Sequence, residues 1–375
     1  MFFSRELDGW VLTRYADCLE VLRDRDRFAS DPALARGRLG AHARALRSGS
    51  PLGRAPAFAQ TDPPVHPRLR AIVNRAFTPR IVESHRPRVA AEVERLLADI
   101  EPGEPFYFMR LIAEALPVLV IGDLLGLDDE NRLAFAASAR AVMRVHTGAA
   151  ESRADRREAE RAMHWLQALL ADYARAAPAD TGQRLIALVL DAEAEGGRLT
   201  AEELLAFVVF VYTAGSAPTA GLLGNGLAAL LRHPDQLALL RAEPDRIADA
   251  TDELLRFDGP TQALARVATA DTDIDRRRIA AGDALFVMVG AANRDPAAFP
   301  DPDRFDVTRE GAHRHLSYGY GAHFCLGAPL ARLEAEELLR VLFARFETLD
   351  AVPGGFAWGG TLVLRAPRTL QVVAH

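Results

Sequence analysis

The sequence predicts a mainly α-helical fold with small antiparallel sheets, organised as one domain over residues 1–375. Three observations carry that prediction. Apolar residues recur at helical spacing from Glu83 to Val145 and from Arg153 to Ala177, with short breaks. A nearly continuous apolar run follows Thr200 and stops at His233-Pro234. Strand-like alternation is confined to short stretches, above all Val267 to Val289, and no repeat or low-complexity linker divides the chain.

Taken in order, Gly9 to Thr13 reads as a short strand and Tyr15 to Arg23 as a helix. Pro32 to Thr61 has no acidic residue and carries Arg36, Arg38, Arg44, Arg47 and Arg54 among glycines and prolines, which predicts a long, partly ordered loop. His66 and Arg70 then share one face of a helix that opens after Asp62-Pro63-Pro64. Thr200-x-x-Glu203 has capping-box spacing. The run it opens, about 33 residues and roughly 50 Å long, is apolar on all sides and must cross the core. Glu253 and Arg256 sit one helical turn apart. Gly359 to Val373 reads as closing strands.

Composition narrows the function classes. Hydrophobic content of 49% and charged content of 26% are those of a soluble globular protein. A net charge of −6 gives no support to nucleic acid binding, and all 45 basic side chains other than histidine are arginine. Two cysteines, Cys18 and Cys325, make no disulfide framework. The most apolar non-central stretch, Leu111 to Leu127, is interrupted by Glu114, Pro117 and Asp123 and reads as buried helix, not membrane span. With no signal-like run after Met1, the expectation is a cytoplasmic protein.

The chemistry concentrates between His315 and Glu334. Gly319, Gly321 and Gly327 bracket Cys325, and the pattern turns helical at Pro329. The cysteine therefore precedes a helix N-terminus, where unpaired N–H groups favour a thiolate. A thiolate in a glycine-lined loop suits an axial position on heme iron. Three other readings stand beside this one. A nucleophile elbow needs glycine where His323 stands. A zinc site would need a second ligand pair to join His323 and Cys325. A lone buried cysteine is the plain default.

Tyr318-Gly319-x-Gly321-x-His323-x-Cys325-Leu326-Gly327 closely resembles the heme-binding loop of the cytochromes P-450, with Tyr318 where that family usually has Phe. Further segments match from Trp10 to the last strand. The resemblance implies the family's triangular, mainly helical fold, with heme b between the long central helix and the cysteine loop. It makes Cys325 the iron ligand and His66, Arg70, Arg266 and His323 the holders of the heme propionates. Glu253, Arg256 and Arg304 become a buried structural cluster behind the loop. Distal-pocket positions are expected at Phe210, Thr213, Ala214 and Ala217 on the long helix, at Gln262 and Leu264, and at Leu362 and Val363.

One departure is chemical. Ala214-Gly215-Ser216-Ala217-Pro218-Thr219 is similar to the family's Ala-Gly-x-acid-Thr-Thr signature, but Ala217 replaces the acid and Pro218 the first alcohol. The usual pair relays protons through water. Pro218 also disturbs the helix at the Ala214 carbonyl, and Thr219 points about 100° away from the lost alcohol. Three functions follow as alternatives: a monooxygenase whose substrate supplies the missing polar group, an oxidase driven by peroxide or coupling radicals, and a heme-binding scaffold or recruiting module without turnover. By resemblance the partners are a small-molecule substrate, expected to be a secondary-metabolite intermediate, and a ferredoxin with its NAD(P)H-dependent reductase. Arg68, Arg75 and Arg332 are expected to form a basic face for the ferredoxin. The acid-free segment raises an acidic carrier protein as a further partner.

Overall fold

A computed structural model describes residues 1–48, 57–146, 152–176 and 201–375. Helices dominate it: α1 (Tyr15–Arg23), α2 (Gly37–Ser48), α3 (Val65–Asn74), α4 (Pro79–Ser84), α5 (Arg86–Leu97), α6 (Ala115–Leu125), α7 (Asp129–His146), α8 (Arg153–Ala176), α9 (Ala201–Arg232), α10 (Pro234–Ala242), α11 (Ile247–Asp258), α12 (Val289–Ala292) and α13 (Ala328–Arg345). The strands are β1 (Phe2–Ser4), β2 (Gly9–Leu12), β3 (Phe28–Ala29), β4 (Pro105–Tyr107), β5 (Leu264–Ala268), β6 (Thr272–Ile274), β7 (Arg277–Ile279), β8 (Ala284–Val287), β9 (Leu349–Gly360) and β10 (Arg365–Ala374).

The strands form a five-stranded sheet in the order β1-β2-β8-β5-β3, a three-stranded sheet β4-β10-β9, and a β6-β7 hairpin. Every pairing is antiparallel except β2 with β8, where Trp10 lies opposite Leu285 and Leu12 opposite Val287. The small antiparallel sheets expected from the sequence are present, with this one parallel seam added. Residues 275 positions apart meet there, and local alternation carries no sign of that pairing.

The central helix α9 spans 32 residues and packs against α6, α11 and β10. It is long and apolar enough to cross a membrane, but 61% of its most apolar stretch is buried within the protein, as befits a core helix. Thr200, the residue of the expected cap, lies outside the described residues. Pro218 sits inside α9, yet the helix runs on through it. Close packing holds it: a Cβ at Gly215 would lie 2.4 Å from Ile121 Cδ1 on α6, so the two helices approach where only glycine fits.

The acid-free segment departs from expectation in its first half. Residues 37–48 form α2, with only Gly40 and Ala43 buried. So few apolar contacts leave almost no periodic signal in the sequence. Its arginines are also engaged. Arg47 pairs with Asp31 at 2.6 Å, Arg44 donates to the Ala33 carbonyl, and Arg38 donates to the Glu6 carbonyl. Arg54 lies outside the described residues.

Candidate heme site

The loop before α13 is tied down from three sides. Asn293, just after α12, accepts from Leu316 N at 2.8 Å and donates to Ser317 Oγ at 2.8 Å. Ser317 Oγ donates in turn to the Leu255 carbonyl of α11 at 2.7 Å. Gly319 and Gly321 adopt φ of +69° and +71°, a left-handed backbone that side chains resist, and Cys325 N donates to the Tyr318 carbonyl at 2.9 Å. These bonds fold the loop so that Cys325 faces a cavity whose other wall is α9. A Cβ at Gly327 would meet nothing within 4 Å, so the space over the loop is open.

Behind the loop, the buried charge cluster differs from expectation. Glu253 receives Arg256 Nε at 2.6 Å and Nη2 at 2.8 Å, a two-pronged pair that is almost wholly buried. The third member is Arg309, whose Nε lies 3.2 Å from Glu253 Oε1, not Arg304. The Arg304 side chain is 64% exposed and reaches only Asp306, at 3.7 Å. Arg304 takes part through its backbone, because its carbonyl accepts from Arg256 and from Arg309. Arg309→Ala is expected to destabilise the protein by about 1.5–3 kcal/mol, since it removes a charged partner from Glu253, which keeps Arg256, and leaves the Pro300 and Asp301 carbonyls without that donor. Arg304→Ala is expected to stay within about 0.5 kcal/mol. Urea unfolding midpoints compare the two, and equal losses would restore Arg304 to the cluster.

His66 and Arg70 of α3, Arg266 of β5 and His323 of the loop all line the same cavity as Cys325. The sequence placed these four together, and the structure does too. They form a cluster of cation-capable groups short of negative charge. The nearest carboxylate, Asp62, accepts from the backbone N–H groups of Ser30 and Asp31 and stands 4.0 Å from His323. Among the described residues, Nε2 of His66 is buried without a partner. Arg266 is 7% exposed, and its guanidinium donates to the neighbouring Ala265 carbonyl. Burial drives His323 down to about 3, helped by the positive His66, Arg266 and Arg70. Burial likewise lowers Arg266 to about 10, partly opposed by Asp62. Two carboxylates entering this cluster would satisfy its orphaned donors and compensate its charge. The donor set thus fits a porphyrin with two propionates.

Cys325 fits the axial position by the same test. Its surface is open, but onto the cavity rather than bulk water, so protein surrounds it. Burial pushes the thiol up, while the N–H groups of Gly327 and Ala328 and the charge of Arg70 act in the opposite direction. A bound cation would complete the shift to thiolate. Beneath the loop, Tyr318 Oη and Glu334 Oε2 are buried with no partner among the described residues. Burial raises both groups well above their usual range.

On the distal side, the expected lining holds in part. Phe210, Ala214 and Leu264 line the cavity. Thr213 does not, because its hydroxyl turns back to the Val209 carbonyl at 3.0 Å. Gln262 folds onto the Gly259 carbonyl at 2.7 Å. Leu362 and Val363 stand exposed on the turn between β9 and β10. Ala217 is off the wall, and Pro218 is on it. Thr219 also lines the cavity, at 5% exposure. One 100° step does not remove it from a cavity that wraps around the helix. Phe58 and Phe207 complete an aromatic corner with Phe210. Phe207 was legible in principle, one turn before Phe210; Phe58 was not, because nothing local marks it.

Fold and site define a mainly helical protein with a mostly apolar cavity between α9 and the cysteine loop, whose donor set fits heme. The Cytochrome P450 family profile matches residues 148–355. The chain is 40% identical over 319 residues to the cytochrome P450 monooxygenase PikC of Streptomyces venezuelae, covering 84% of this chain and 74% of PikC. It is 33% identical over 373 residues to the polyketide biosynthesis cytochrome P450 PksS of Bacillus subtilis, covering 99% and 90%. Among solved structures, P450BioI in complex with an acyl carrier protein bearing hexadec-9Z-enoic acid superposes with a TM-score of 0.83 at 30% identity, covering 98% of this chain and 92% of that one. The chain belongs to the cytochrome P450 family and is a heme-dependent oxidoreductase of the monooxygenase class.

Proposed function

We propose that this chain is a cytoplasmic, single-domain monooxygenase that oxidises a polyketide-like secondary-metabolite intermediate whose own hydroxyl or carboxylate helps deliver protons. The observation that carries this reading is the wall of α9, where Pro218 stands in place of the alcohol and no acid faces the cavity. PksS lends the substrate class, since it is named for polyketide biosynthesis.

Heme b, ligated by the Cys325 thiolate, would supply the two-electron activation of dioxygen and the insertion of one oxygen atom into a C–H bond. This chain's residues do the rest. His66, Arg70, Arg266 and His323 would hold the two carboxylates and fix the ring. Phe58, Phe207, Phe210, Ile121 and Leu264 exclude water and favour an apolar substrate body. On the cavity wall of α9, Ala214 and Thr219 offer polar groups. Pro218 has no N–H to give the Ala214 carbonyl, so that oxygen can accept from a water or a substrate hydroxyl. The Thr219 hydroxyl, one residue further, can donate or accept. Between them a substrate hydroxyl would be oriented and its proton passed on.

Electrons would come from a ferredoxin and an NAD(P)H-dependent reductase. The expected basic face is narrower than the sequence implied, because Arg68 pairs with Glu203 and Arg332 with Asp252. Steering by the remaining charge predicts reduction that slows as salt rises. An acyl carrier protein as substrate donor is a second reading. It rests on the P450BioI complex and on Arg38 and Arg44, whose guanidiniums meet carbonyls and so keep their charge for an acidic partner.

Turnover assays test the proposal. Product is expected with ferredoxin, reductase and NAD(P)H on a hydroxylated polyketide. Product with hydrogen peroxide alone, and none with the reductase, would favour the peroxide-driven alternative. No turnover in either case would favour a heme-binding scaffold.

A further inference from the structure

Three rings run from the substrate chamber to the heme loop. Phe58, on the single turn Phe58–Gln60, meets Phe207 edge to face at 6.0 Å and Phe210 at 6.1 Å, both on α9. The same ring stacks on His66, with centroids 5.3 Å apart and planes 25° from parallel. His66 in turn lies 4.0 Å from the ring of His323, two residues before Cys325. Phe58 is 7% exposed and His66 is 4% exposed.

Among the described residues, Nε2 of the buried His66 ring has no hydrogen-bond partner. No hydrogen bond at that nitrogen fixes the rotation of the ring. Its direction is set by the two rings it touches. A donor aimed by packing alone is only as well placed as its neighbours, and an offset-stacked ring pair resists rotation more than aliphatic contact does.

We propose that Phe58 is a positioning residue for heme. It acts through His66, holding that ring so that its free nitrogen meets a propionate, while its edge forms part of the substrate chamber. One side chain would then be shared by the chamber wall and the propionate clamp, and a body that displaces Phe58 would also turn His66. This inference rests on the propionate role proposed above for His66.

The test is the rate at which the ferric holoprotein loses heme to excess apomyoglobin, measured without substrate or turnover. His66→Ala is expected to speed heme loss at least about tenfold, as loss of a charge-assisted hydrogen bond would. Phe58→Leu keeps an apolar side chain and removes the ring. It is expected to speed heme loss about fivefold in the wild-type background, the factor expected for one aromatic pair. Phe58→Tyr should restore the wild-type rate. In the His66→Ala background, Phe58→Leu should add less than about twofold, because the ring it acts on is gone. An equal factor in both backgrounds, or no change in the wild type, overturns the proposal. If Phe58→Leu does not accumulate as folded protein, Phe58→Met carries the same comparison. If His66→Ala leaves heme loss unchanged, the propionate reading itself fails, which is a different result from additivity with an intact His66 effect.

Discussion

Removing the substrate hydroxyl nearest α9 is expected to lower product formed per NAD(P)H by about 10²- to 10⁴-fold, the usual contribution of a positioned proton donor. The reason is the composition of the chamber wall. Phe58, Phe207, Phe210 and Leu264 offer no proton, Pro218 has no hydroxyl, and Ala217 does not reach the wall. The Ala214 carbonyl only accepts. Thr219 remains, and Thr219→Val should lower coupling for both substrates by removing the α9 hydroxyl that lines the cavity. The double change Ala217→Asp with Pro218→Thr should rescue the deoxy analogue. It should also return an N–H to the helix, with a gain in stability of up to about 3 kcal/mol. Uncoupled electrons would be recovered as hydrogen peroxide. Equal coupling for the native substrate and its deoxy analogue would remove substrate assistance from the account, and a failed rescue would show that the α9 wall does not govern proton delivery.

The parts of the site that were legible in the sequence are those fixed by local spacing. His66 and Arg70 share a helix face, and His323 and Cys325 share one glycine-bounded loop, so each pair could be placed without knowing the fold. The parts that were not legible depend on where a side chain turns after the backbone is set. Arg304 and Arg309 are five residues apart in one irregular stretch, and only the turn around Asp306 decides that Arg309 reaches Glu253 while Arg304 faces solvent. Thr213 and Gln262 were expected in the chamber, but each found a carbonyl within four residues and turned to it. Phe58 was invisible because its partners are 149 and 152 residues away on α9 and eight away on α3. The parallel seam of β2 with β8 was missed for the same reason.

Heme retention and iron ligation are separable here, which gives the second large effect. The carboxylate donors do not include the cysteine, so Cys325→Ser should still take up heme through His66, Arg70, Arg266 and His323. What it should lose is the thiolate, and with it all monooxygenase turnover. A serine hydroxyl in that loop receives the same two backbone N–H groups but stays neutral at any pH the protein survives, and it cannot push electron density onto the iron.

The measurement that tests the central claim most directly is therefore the absorption spectrum of the ferrous carbonyl complex. Wild-type protein is expected to show the strongly red-shifted Soret band of a thiolate-ligated heme, and Cys325→Ser, loaded with the same amount of heme, to lose it. A red-shifted band that persists in Cys325→Ser, or is absent from correctly folded wild-type protein, would contradict the assignment of Cys325 as the iron ligand.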